Sequence, residues 1–259
     1  MRMMKKVLGT VTVLALSVSL LAGCGSTAAS PVSSAASTAA ESTTSSVVSE
    51  TTSAAADENV AAAAQLLNDL TGSYQELWPV ILADEYQQTW LDDCTALVGE
   101  ENAEAAFEKL SSMVTSDVYG EDAVEAYANG GGAYFCGFTN SLATLTFDGE
   151  TSTISGTDKD GNVLFSHTYH YIGMEPVRGL YEFESDDADS GEFTYFFLAP
   201  DTSAETYHIE FRYGSDADAL SQYDAGDYAY WVASGISTDC DQTMIDNCIE
   251  LFCTENLAD

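Results

Sequence analysis

The sequence predicts a mainly β domain with flanking helices, its strands joined in order as an antiparallel sandwich or a closed barrel. Three observations predict it. After Ala133 the sequence pattern changes to period two, as in Tyr134-Cys136-Phe138 and Leu142-Thr144-Thr146. Asp148-Gly149 and Asp160-Gly161 are hairpin turns between such runs. Before Ala133 and after Thr238 the period changes to that of amphipathic helices. Consecutive strands joined by short turns form a meander, and closure would remove its exposed edges.

The 259-residue chain carries 42 acidic residues against 7 Lys and Arg, a formal charge of −35. Neutralising phosphates requires clustered Lys and Arg, so nucleic acid is excluded as a partner. An acidic surface suits cations or keeps an exported protein soluble. The 14 tyrosines and 11% aromatic content argue against a wholly disordered acidic chain.

Residues 1–23 read as a leader. Arg2, Lys5 and Lys6 form a basic start, and Val7–Leu20 is an apolar run too short for a membrane span. The run ends in Leu21-Ala22-Gly23-Cys24, which resembles the bacterial lipobox. That resemblance implies cleavage before Cys24, lipidation of its sulfur, and a chain anchored to the extracytoplasmic face of the cell membrane. Loss of the leader's three cations would take the charge from −35 to −38. Residues 24–56 are Ser, Thr and Ala with little else, and are expected to be a flexible tether. The globular domain is expected over 57–259.

Asp57 is a plausible helix N-cap, followed by Val60, Ala63, Ala64, Leu67 and Leu70 at helical spacing, with Gly72 as the stop. Pro79 suits the first turn of a second helix running towards Leu91. A third begins near Asn102, with Phe107, Leu110 and Val114 on one face. Trp78 and Trp90 read as core anchors. Gly130-Gly131-Gly132 ends the helical region; with no Lys-Ser/Thr after it, it is a breaker and not a phosphate loop. Val163–Ile172, Gly179–Phe183, Phe193–Leu198 and Tyr207–Tyr213 are further strands. Thr238 with Asp241 resembles a capping box, opening a last helix with Met244, Ile245, Cys248, Ile249 and Phe252 inward.

Besides Cys24 there are five cysteines, Cys94, Cys136, Cys240, Cys248 and Cys253. An exported chain allows disulfides, and the odd number leaves at least one thiol unpaired within the chain. No Cys-x-x-Cys spacing exists, so a structural zinc cage is not expected. There is no Gly-x-Ser-x-Gly elbow and no His-Glu-x-x-His, so catalysis is not expected and no catalytic residue is assigned.

Thr206–Asp216, TYHIEFRYGSD, holds one of three histidines. In a strand, Tyr207, Ile209, Phe211 and Tyr213 share one face, and His208, Glu210 and Arg212 the other. His208 and Glu210 then form half of a metal site, or an ordinary solvated polar face. The acidic runs Asp186-Asp187-x-Asp189 and Asp216-x-Asp218 lack the glycine and final glutamate of an EF-hand loop and read as solvated loops.

Several stretches together resemble the ZinT (YodA) periplasmic metal-binding family. Leu70-x-Gly72-x-Tyr74-Gln75-x-x-Trp78-Pro79 is similar to the family's opening motif, with Leu70, Tyr74 and Trp78 replacing its aromatic residues. Tyr169-x-Tyr171-x-Gly173, Val177–Glu184, Ala199-Pro200, His208 and Gly214-Ser215-Asp216 follow in family order, as does Asp227–Trp231. The resemblance spans about residues 66–257 and implies a calycin-like (lipocalin-like) antiparallel β-barrel with flanking helices. It further implies zinc, cadmium or another divalent transition metal, held near one barrel mouth by three histidines, and a possible link to a zinc ABC transporter.

Carried over residue by residue, the family's ligands fall on His208, on Glu210 in place of a histidine, and near Phe196, which cannot ligate. The family's His-rich N-terminal segment is absent. Zinc accepts imidazole nitrogen and carboxylate oxygen, usually four donors. His167 and His170 differ by three, so a regular strand sends them to opposite faces. His170, next to Tyr169 and Tyr171, is the better third ligand. Acids of the Ser185–Glu192 or Asp216–Asp227 loops complete the expected shell. The resulting expectation is a membrane-anchored protein for metal capture, buffering or delivery; the alternative is a scaffold with a degenerate metal site that binds an organic ligand or a surface protein.

Overall fold

A computed structural model describes residues 47–199 and 208–258, with side chains from Glu58 onward. The expected leader, Cys24, the first part of the tether, Pro200 and Tyr207 lie outside the described residues. Eight strands follow one another and close: β1 (Gly72–Glu76), β2 (Thr144–Asp148), β3 (Thr153–Thr157), β4 (Val163–Met174), β5 (Tyr181–Ser185), β6 (Tyr195–Leu198), β7 (His208–Gly214) and β8 (Ala233–Ser237). Every neighbour is antiparallel, and β8 pairs back onto β1 through Tyr74↔Ser237 and Glu76↔Gly235. Of the sandwich and the barrel, the chain adopts the closed barrel, which leaves no strand edge unpaired.

Alternation along the strands packs the barrel's interior. Phe147, Ile154, Phe165, Tyr169, Phe183, Phe196, Phe211 and Tyr213 are all buried in one cluster. So many rings leave no room for a Cβ at Gly156, where one would press into Phe165 and Leu142. The expected turns are present: Asp148-Gly149 joins β2 to β3, and Gly161, at φ +81°, turns β3 into β4.

Helix α1 (Val47–Asp69) sends Ala63, Leu66 and Leu67 into that same cluster, with Leu70 just beyond its end. It begins ten residues before the expected N-cap, because the Ala-rich run 54–64 favours helix. No helix among the described residues is long and apolar enough to cross a membrane.

The expected helix from Pro79 to Leu91 is broken. Helix α2 (Leu77–Ile81) stops at Leu82, one 3-10 turn covers Asp84–Tyr86, and α3 (Gln87–Val98) follows. The break lets the Trp90 indole N–H donate to the Ile81 carbonyl at 2.7 Å, satisfying a buried donor. Helices α4 (Ala103–Ser112) and α5 (Glu121–Ala128) complete the insertion between β1 and β2. Tyr134–Phe138, expected as an alternating strand, forms only isolated bridges, from Phe135 to Thr115 and Trp231. Helix α6 (Ala217–Leu220) lies between β7 and β8, and α7 (Gln242–Leu257) ends the described chain. The cap of α7 is Asp241 itself, whose side chain accepts the Met244 N–H at 3.0 Å, three residues later than the sequence suggests.

A second core joins α2, α3, α4 and α7 to the outer wall of the barrel. Trp78, Ile81, Trp90, Cys94, Leu110, Ile245, Ile249 and Cys253 are buried there, against Ile236 of β8. Both Trp78 and Trp90 are core anchors, as expected.

Candidate functional site

Strand β7 has the expected two faces. Ile209, Phe211 and Tyr213 are buried in the barrel interior. His208, Glu210 and Arg212 therefore point outwards, and the register fixes their neighbours: His208 lies opposite Ile236 and Glu210 opposite Ser234. Both belong to the outer wall that the helices cover.

Glu210 lines a cavity of about 110 Å³ between that wall and the helical layer. Trp78, Tyr134, Cys136, Arg178, Ser234, Phe252 and Glu255 complete most of its lining. The lining mixes aromatic surface with charges of both signs. Arg178 donates to the Tyr134 hydroxyl at 3.2 Å and stacks on the rings of Tyr134 and Tyr223. Burial pushes the Cys136 thiol up to about 12, and the nearby Glu210 carboxylate adds to the rise. The same two causes, with Cys240 between them in size, take Cys248 to about 12. Both are thus neutral thiols at pH 7 and poor metal ligands as they stand. The Trp78 indole lies close enough to favour a Cys136 thiolate slightly, yet its buried N–H makes no acceptable hydrogen bond.

Arg212 lies on the same outer face of β7 as Glu210. It is fully buried, and its guanidinium donates to the carbonyls of Leu220, Gln222 and Tyr228. This holds the 217–231 segment against the barrel. Burial lowers its pKa. Gly214, at the end of the strand, is where the Tyr228 ring crosses; a Cβ would come within 2.5 Å of the hydroxyl.

His170 does not reach this site. Counting the register from His170 to Glu184, Tyr195 and Gly214 puts it three strands from β7 and six residues along from His208. That is about 14 Å across the sheet and about 20 Å along it. His170 instead bonds Asp186 at 2.7 Å and lies 4.0 Å from Glu184. His167 is on the opposite face of β4, as expected, and bonds Asp187 at 2.8 Å. Of the Ser185–Glu192 acids, Asp187 and Asp186 therefore serve His167 and His170, and Glu192 accepts from Ser215 and Tyr228. Phe196, where the resemblance puts a further ligand, is buried inside the barrel, on the face away from His208 and Glu210. Among the described residues, no three His, Cys, Asp or Glu side chains converge as a metal cage.

Sequence reasoning found Glu210 but not the rest of the cavity lining. The signal in the sequence is the alternation at Tyr134-Cys136 and the Arg178 that follows Val177.

Fold and site together define an eight-stranded meander barrel with a helical layer over one outer wall and a mixed-polarity cavity between them. No protein-family model and no curated protein matches the chain. Among solved structures, it is similar to the Zn(II)-bound ZinT-like domain of Streptococcus pneumoniae AdcA, at 14% identity and a TM-score of 0.45, over 71% of this chain and 89% of that one. It is also similar to Zn(II)-bound AdcA from the same organism, at 14% identity and a TM-score of 0.41, over 74% of this chain; the match spans only 35% of that chain.

Proposed function

We propose that the chain is a binding protein of the ZinT type, taking zinc or a related divalent transition metal outside the cytoplasm. The observation that carries this reading is the pair His208 and Glu210 on the outer face of β7, with Glu210 lining a cavity. An imidazole and a carboxylate, about 7 Å apart along the strand, are donors that zinc accepts. They are two of the usual four donors. Such a site binds less tightly and less selectively than three imidazoles, which suits capture and release to a transporter better than permanent storage. No catalytic role is part of this reading.

The test is calorimetric titration of the full chain with zinc, beside His208→Ala. Heat of binding that disappears in the variant supports the reading; equal, negligible heats in both proteins reject it. The lipid anchor has its own test. Radiolabelled fatty acid should enter the chain in cells and should not enter Cys24→Ala, which should leave the membrane fraction.

A second reading has one observation in its favour. The barrel interior is packed with rings, while the cavity beside Glu210 offers Trp78, Tyr134 and Phe252 surfaces next to Arg178 and Glu255. A small organic ligand fits that chemistry. Native mass spectrometry of protein purified without added metal distinguishes the two: a bound organic mass with no metal favours the second.

A further inference from the structure

Two of the five cysteines in the domain meet across the helical layer. The sulfurs of Cys94 in α3 and Cys253 in α7 lie 3.9 Å apart, and both residues are wholly buried. They are 159 residues apart in sequence. Cys136 turns elsewhere, towards the Tyr134 carbonyl at 3.9 Å. We propose that Cys94 and Cys253 are a disulfide-forming pair that covalently fastens α7 to α3 when the chain folds in the presence of a disulfide oxidant.

The geometry asks for little. A disulfide brings its sulfurs to about 2.05 Å, so each must move by about 1 Å, within reach of small rotations about the Cα–Cβ bonds. The neighbours hold the two helices in place meanwhile. Trp90, one turn before Cys94, meets Phe252 edge-to-face at 5.9 Å, and Phe252 meets Trp78 at 4.7 Å. The link would therefore fix the wall that carries Phe252 and Glu255, which is the helical side of the cavity facing Glu210.

The chemistry is thiol–disulfide exchange with a small-molecule disulfide, and oxidised glutathione is the probe. One cysteine thiolate attacks the oxidant's disulfide and expels a thiolate. The second cysteine then attacks the protein sulfur of the mixed disulfide and expels the other. The protein loses two protons and two electrons, and the oxidant becomes two thiols. In the folded chain both sulfurs are sealed from solvent, and burial raises both thiol pKa values. Closure therefore belongs to folding, before α7 docks, and the folded reduced chain should resist the same oxidant.

The experiment refolds the full chain from denaturant in a reduced and oxidised glutathione buffer. It then maps disulfides by acid-protease digestion at low pH, which prevents reshuffling. The expected result is a peptide containing Cys94 linked to one containing Cys253. The linked form should melt on the order of ten degrees above the chain refolded in reductant. Cys248→Ala should keep the link and Cys94→Ala should lose it. Recovery of Cys94 and Cys253 as free thiols from the oxidatively refolded, folded chain would overturn the proposal, as would either one joined to a different cysteine. The map is read on the unaltered chain, so poor folding of a variant does not blur it. The zinc titration has no bearing on the outcome.

Discussion

The Arg212 guanidinium stands 4.3 Å over the ring of Tyr223, and Arg178 stands 4.2 Å over the same ring. Two cations share one aromatic ring because each has other partners. Arg212 serves three backbone carbonyls of the 217–231 segment. Arg178 and Val177 give their backbone N–H groups to the buried Glu175 carboxylate at 2.6 and 2.7 Å. The network ties β7 to the segment that leads into β8, and so supports the outer wall on which His208 and Glu210 stand.

Arg212→Lys tests that role. A lysine ammonium is a point donor and cannot span three separated carbonyls as a planar guanidinium does. Leaving buried carbonyls unpaired should cost on the order of 3 kcal/mol. Urea unfolding should show a lower midpoint with the slope unchanged. An unaltered midpoint would show that the network is dispensable.

Asp93 supplies a pH dependence. One of its carboxylate oxygens is buried without a hydrogen-bond partner. Burial raises its pKa, and Glu250, Asp246 and Asp92 raise it further. The folded chain therefore holds a proton on Asp93 at pH values where the unfolded chain has released it. Stability from this group is present below the ordinary aspartate range and is lost as pH rises through the raised folded value. Asp93→Asn removes that loss. At pH 7 it should be more stable than the parent, and the advantage should shrink towards acid. Denaturant midpoints at a series of pH values check both parts.

The sequence makes local repeats readable and leaves closure hidden. β2, β4, β5 and β6 each lie close to an alternating run, bounded by turns with a physical reason. β1 and β8 were not legible. Gly72–Glu76 looks like a helix stop, and Ala233–Ser237 contains glycine and little apolar bulk because Gly235 faces Ile209 at close range. These two strands make the barrel a barrel, and they are recognisable only through each other. The site divides in the same way. That His208 and Glu210 share a face follows from strand periodicity alone. That His170 stands three strands away follows only from the register of β4 through β7.

Phe196→His tests the inward placement of that position. The ring is fully buried among Phe165, Tyr169, Phe211 and Tyr213. An imidazole there would be buried without a designed partner and would leave a smaller side chain in a packed core. The expected cost is on the order of 3 kcal/mol, with no gain in zinc affinity, since it faces away from His208. Denaturant unfolding and zinc calorimetry on the same preparation check both. A gain in zinc affinity would mean that β6 can present this position to the outer face.

Glu210→His asks the converse question on the correct face. It would place two imidazoles two positions apart on the outer face of β7. Imidazole suits zinc better than a single carboxylate does, so affinity should rise at least about tenfold, or about 1.4 kcal/mol. His170→Ala should leave the zinc affinity of the parent unchanged, because its partners are Asp186 and Glu184. The two variants separate local from distant contributions. If His170→Ala weakened zinc binding while Glu210→His had no effect, the metal would be held near β4 and β5, and the assignment to β7 would fall.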